Sequence, residues 1–160
     1  MVLYNQKYVL HCCALVAVLL LPFSVLADVV VVAGAKSSSI ALSKNQVSDL
    51  FLGKVVSLPN IRNAAPIDQP ESNPLREEFY LKVANKSAAQ VKAQWAKLYF
   101  TGRGVPPREA VNSDDVKRML NSIPGAIGYI ERTSLDSSVK LIQIVQPVMA
   151  KNFSGDNFGE

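Results

Sequence analysis

Apolar residues run without a break from Val29 to Ala33 and stop at Gly34. A continuous β-branched run of this length predicts a strand covered on both faces, the kind met in parallel sheets. The polar loop Lys36-Ser37-Ser38-Ser39 follows, and then the period changes. Ser43 and Gln46 have the spacing of a capping box, in which each side chain satisfies a backbone donor of the first helical turn. Val47, Leu50 and Phe51 continue at helical spacing, and Gly53 supplies the left-handed residue that ends such a helix. Pro59 and Asn60 mark a loop before a short strand near Ala64 to Asp68.

The loop from Gln69 to Pro74 is rich in turn formers. Ser72 or Asn73 can cap the next helix, and Pro74 is tolerated in its first turn, where an amide would lack a partner anyway. Leu75, Phe79 and Val83 mark the buried face of that helix. Ser87 and Gln90 repeat the capping-box spacing, with Val91, Trp95 and Leu98 as the apolar stripe. After the Gly/Pro-rich loop 101–107, Ser113 opens a helix carrying Val116, Met119 and Leu120. Pro124-Gly125 turns into a strand over 126–131, and 139–145 is a last strand candidate. Strands alternating with helices predict an α/β sandwich on a mixed or parallel sheet.

The first 27 residues change the picture by what they hold. Lys7 supplies a basic start, Cys12 to Leu21 an apolar stretch, and Val25-Leu26-Ala27 a small-residue cleavage site, the pattern of an export signal. The apolar stretch is short for a membrane span, which needs about 20 residues. Both cysteines and the only histidine, His11, lie in this segment. A chain beginning at Asp28 would have no thiol, imidazole or disulfide, which excludes Cys and His catalysis and His or Cys metal sites. The expected organisation is a signal peptide over 1–27, one α/β domain over 28–146 and a loosely held tail over 147–160.

The net charge of +4 is mildly basic, and its residues are dispersed. That argues against nucleic acid and is compatible with an anionic ligand. The acidic pairs Glu77-Glu78 and Asp114-Asp115 sit in helix first turns, where they offset the helix dipole. No nucleophile elbow, P-loop or dinucleotide fingerprint is present. Neither an enzyme, a metal site nor a cofactor is expected.

Candidate chemistry concentrates between Asp68 and Arg76, where a strand end meets a helix start. Backbone N–H groups and the helix dipole favour an anion there. Ser72 offers a hydroxyl and Arg76 a planar fork of donors. The same residues also fit a plain cap, with Arg76 paired to a surface carboxylate. Local sequence leaves both readings standing. Trp95 is expected in the core, as is Tyr129 with its hydroxyl bonded.

Three segments in order resemble the periplasmic phosphate-binding proteins of ABC importers: Leu50-Phe51-Leu52-Gly53-Lys54, the strand-loop-helix from Pro66-Ile67-Asp68 to Phe79, and Pro124-Gly125-Ala126-Ile127-Gly128-Tyr129-Ile130-Glu131. The resemblance covers about Val29 to Glu131. It implies a single lobe of the type 2 periplasmic-binding-protein fold, whose full-size members close two lobes on the anion. The family's anion loop reads Arg-x-Asp-Gly-Ser-Gly-Thr. Asp68 matches its Asp, Pro66 stands at its Arg, and the glycines and Thr are missing; Ser72 matches its Ser only through a longer loop, and Arg76 is a replacement for its Arg.

The resemblance implies an exported, periplasmic oxyanion binder, phosphate first, with Asp68, Ser72 and Arg76 as ligand residues and Ser38 and Ser39 as a weaker candidate nearby. An Asp68 facing the ligand would accept only from a protonated oxyanion and so would disfavour sulfate. The implied partners are an ABC permease or another periplasmic protein, with self-association a way to supply a missing wall. The rival expectation is a periplasmic interaction module that keeps the lobe without the anion.

Overall fold

The computed structural model describes residues 28–38 and 41–145. The expected signal segment, Ser39 and the expected tail lie outside the described residues. In chain order the elements are β1 (Val29–Gly34), β2 (Ala41–Ser43), α1 (Lys44–Phe51), β3 (Ala65–Asp68), α2 (Pro74–Ala84), α3 (Ala88–Phe100), β4 (Arg108–Glu109), α4 (Ser113–Ser122), β5 (Ala126–Glu131), β6 (Val139–Leu141) and β7 (Gln143–Val145), with a short 3₁₀ turn at Arg132–Ser134.

Five strands form one mixed sheet in the order β4-β3-β5-β1-β6. β3 runs parallel to β4 and to β5, whereas β1 is antiparallel to both its neighbours, β5 and β6. The apolar run at 29–33 is therefore buried on both faces, as expected, but not in parallel company. Alternate residues explain the burial. Val29, Val31 and Ala33 enter the core shared with α1, α2 and α3, while Val30 and Val32 enter a second core beneath α4. Helices on both sides demand a two-sided strand whatever the polarity of its neighbours.

Pro66 is tolerated in this sheet because β4 is short. The amide of Ala65 donates to Gly125 on the β5 side, so position 66 faces the other side, and β4 pairs with β3 only from Ile67 onward. A residue without an N–H costs no ladder bond there. The expected last strand is split at Ile142: β6 joins the main sheet and β7 pairs in parallel with β2.

Both capping boxes form, at Ser43 with Gln46 and at Ser87 with Gln90. At α2 the cap is Asn73, not Ser72; at α4 it is Asn112, with Ser113 the first helical residue. Gly53 has φ +68, and a Cβ built there would lie 2.5 Å from the Trp95 ring. Bonds from Trp95 Nε1 to the Phe51 carbonyl (3.1 Å) and from Gln94 Nε2 to the Leu52 carbonyl (3.0 Å) dock α3 onto the end of α1. That docking sets the wall of the cleft described next.

Candidate functional site

Asp68 ends β3 at the centre of a buried polar cluster. Its Oδ1 accepts from the Tyr129 hydroxyl (2.6 Å) and from the Gln69 amide (2.8 Å). Its Oδ2 accepts from Tyr80 (2.9 Å) and from Arg76 Nε (3.2 Å). Both partners of the ion pair are buried, Asp68 to 2 % exposure and Arg76 to 4 %. A pair so far from water holds only where such bonds offset the loss of hydration.

Each group is placed by an element. Arg76 and Tyr80 stand one turn apart on α2, so they share a helix face, and the guanidinium carbon lies 5.2 Å from the centre of the Tyr80 ring. Tyr129 comes from β5 and stacks on Phe79, with ring centres 3.9 Å apart. Gln69 is fully buried and knits the corner: its Nε2 donates to the Tyr129 carbonyl (2.9 Å) and its Oε1 accepts from Asn73 (2.6 Å). Burial, then the Asp68 charge and its hydrogen bond, push the Tyr80 and Tyr129 hydroxyls far above the usual tyrosine range. Burial alone would lower the Arg76 guanidinium, but the charge and hydrogen bond of Asp68 together with the Tyr80 and Tyr129 hydroxyls outweigh it, so the cation is held more firmly.

One donor in this cluster is left over. Arg76 Nη1 is buried and has no hydrogen-bond partner among the described residues. Arg76 and Asp68 line a cleft of about 260 Å³, together with Trp95, Tyr99, Pro106 and Pro107. Lys92 and Glu71, paired at 3.0 Å, stand at the same cleft.

The expected anion determinants thus come together only in part. Asp68 and Arg76 are joined, but to each other. Arg76 meets a buried carboxylate, not the surface partner of the plain-cap reading. Asp68 already accepts two bonds on each oxygen, so the expected discrimination against sulfate through this carboxylate loses its physical basis. Ser72 is exposed and does not cap. The free amides expected at the α2 start are also spent. Pro74 has none, the Leu75 amide goes to Asn73 Oδ1 (3.0 Å), and the Arg76 and Asn73 amides go to the carbonyls of Asn73 and Pro70.

Ser38 is not nearby. It lines a separate hollow with Asn63, Pro124 and Gly125, at the starts of β3 and β5, whereas Asp68 ends β3 at the opposite edge. Antiparallel β1 carries the serine loop to that far side. Trp95 and Tyr129 are buried with their polar atoms bonded, as expected. Sequence reasoning missed Tyr80 and Gln69. The spacing of Tyr80 four residues after Arg76 was the available signal; Gln69 carried none.

No family model and no curated protein matches the chain. Solved structures do share its fold. A protein from Clostridium perfringens, described as a phosphate ABC transporter substrate-binding protein and solved with bound phosphate, is 17% identical with a TM-score of 0.59; the match covers 72% of this chain and 44% of that one. An ABC-type phosphate transport receptor from Vibrio cholerae is 18% identical with a TM-score of 0.56, covering 72% and 45%. The mixed sheet flanked by helices is therefore that of a lobe of these substrate-binding proteins. The chain spans less than half the length of either neighbour.

Proposed function

We propose that the chain is an exported, periplasmic solute-binding-type protein that takes a small oxyanion, phosphate first, where β3 meets α2. The observation that carries this reading is the buried Arg76 guanidinium with its unpartnered Nη1, at a cleft. A buried guanidinium that does not use all its donors is costly, and an anion that reached Arg76 from the cleft would relieve that cost. The neighbours' fold and the bound phosphate in one of them favour the same ligand class. Asp68 acts here as a positioning residue that holds Arg76 charged and oriented. Ser72, exposed on the adjoining turn, is an outer hydroxyl contact at most. The role is binding rather than catalysis, with an ABC permease as the partner class.

A thermal-shift series in phosphate, sulfate and chloride at matched ionic strength tests this. Phosphate should raise the melting temperature and sulfate should do so to a similar extent, since Asp68 has no free acceptor to choose between them. Arg76→Lys keeps a cation beside Asp68 but removes Nη1, and should abolish the rise. No shift with millimolar phosphate would sink the assignment.

A second reading has its own support. Tyr99, Phe100, Val105 and Val111 are exposed large apolar residues around the end of α3 and the loop to α4. An interaction module would use such a surface without any anion. It predicts the same melting temperature in all three salts.

A further inference from the structure

The close of α3 joins exposed aromatic groups to an unbalanced charge. From Phe79 to Arg108 the chain carries six cations, Lys82, Lys86, Lys92, Lys97, Arg103 and Arg108, and no acidic side chain. Lys82 pairs with Asp28 and Lys92 with Glu71, but Lys97, Arg103 and Arg108 form no ion pair among the described residues. Between these cations stand Phe100, 85% exposed, and Val105, 77% exposed. Tyr99, also exposed, meets the Phe100 ring edge to face, with centres 5.9 Å apart.

These residues share one projecting end. Lys97 and Phe100 lie three positions apart and occupy the same side of α3. The helix closes at Thr101, and the Arg103 amide donates back to the Leu98 carbonyl (2.9 Å), which holds the following loop against the last turn. A Cβ built on Gly102 meets nothing within 4 Å, so the turn between Phe100 and Arg103 stands clear of the rest of the lobe. Grouped exposed apolar side chains mark contact surfaces, whereas single ones do not.

Charge decides the partner. Lysine is depleted at the cores of protein–protein interfaces. Aromatic side chains flanked by Lys and Arg are instead the make-up of surfaces that sit at the headgroup level of a bilayer. The aliphatic stems of Lys97 and Arg103 extend apolar cover while their charged ends reach water or phosphate. No described helix is long and apolar enough to cross a membrane, so a contact made by this end is peripheral.

We propose that the end of α3 docks on an anionic phospholipid bilayer, with Tyr99, Phe100 and Val105 as the apolar tip and Lys97 and Arg103 against the headgroups. This rests on the reading of the exposed apolar residues as an interaction surface, names its partner, and is independent of the Arg76 cleft.

Sedimentation of the full chain with vesicles of phosphatidylcholine alone, or of equal parts phosphatidylcholine and phosphatidylglycerol, tests the proposal. The apolar stretch Cys12 to Leu21 is common to every sample, so the readout is the change between lipids and between variants. Anionic lipid should raise the partition coefficient about 25-fold, and Lys97→Gln and Arg103→Gln should each remove about fivefold of that gain. Raised salt should erase it. In Phe100→Trp, brominated phosphatidylglycerol should quench the introduced indole beyond any loss seen for Trp95 in the parent. Equal partition into both lipids, variants that bind like the parent, or an unquenched indole on bound protein would overturn the proposal. Binding to polyglutamate without a preference for the anionic lipid would make an acidic protein the partner, overturning the lipid assignment and leaving the interaction surface intact. Binding to neither overturns the proposal and leaves this surface without a polyanionic partner.

Discussion

At the residue scale the molecule turns on one carboxylate. Asp68 accepts from two tyrosines, one amide and one guanidinium: Gln69 is its chain neighbour, Arg76 and Tyr80 come from the next helix, and Tyr129 comes from distant β5. Removing the Tyr129 hydroxyl takes a charge-assisted bond from a buried acceptor, so Tyr129→Phe should cost about 1.5–3 kcal/mol in urea unfolding. The same pair of tyrosines fixes the alkaline limit. Both hydroxyls keep their protons far above the value of an unfolded tyrosine. Their contribution is fully present below about pH 10, and stability falls as pH rises beyond it, because the unfolded chain sheds two protons that the folded chain retains. The slope from the two is about half its limit at pH 10 and approaches about 2.7 kcal/mol per pH unit above pH 11, and Tyr129→Phe should halve this contribution. Unfolding curves between pH 9 and 11 measure this; equal slopes in both proteins would contradict the assignment. In the sequence, Asp68 and Arg76 stood out by residue type and place, but their pairing did not. A buried ion pair and an anion site ask for the same residues, and only the direction of the guanidinium separates them.

At the scale of elements, local signals were legible wherever the chemistry is local. Capping boxes at Ser43 and Ser87 formed as their spacing requires, and Gly53 adopts the left-handed conformation expected of a helix end. The polarity of β1 was not legible, because a run of valines reports two covered faces and is silent on the direction of its neighbours. That one reversal moved the Ser37-Ser38 loop away from Asp68 and divided the candidate site. β4, with two residues and no apolar pattern, left no trace to read. Gly53 and Gly102 offer a paired test of how α3 is seated. Both have positive φ, but a Cβ at Gly53 would strike Trp95, whereas at Gly102 it meets nothing within 4 Å. Gly102→Ala should cost about 1–2 kcal/mol from the backbone alone. Gly53→Ala should add about 1–3 kcal/mol of overpacking and shift the emission of the single tryptophan. Equal costs and unmoved emission would mean that α3 is not held against the end of α1 as described.

At the scale of the whole molecule, the described residues form one lobe, and the lobe's best-equipped cleft is open. Full-length neighbours are more than twice as long as the region they share with this chain. A second wall would exclude water and strengthen each charged contact; an open cleft leaves the anion partly hydrated and its bonds screened. If the proposed anion binds there, it should do so weakly, with salt weakening it further. The architecture was readable from the alternation of strands and helices. What escaped the sequence was how completely the polar groups at the strand end satisfy one another.

The most direct test follows the indole N–H resonance of Trp95, the only tryptophan in the chain and part of the cleft wall. Phosphate added to the labelled protein at constant ionic strength should move that resonance along a saturable curve, and Arg76→Lys should flatten the curve. A resonance that stays fixed, or that moves equally in the variant, would contradict an anion site at Arg76.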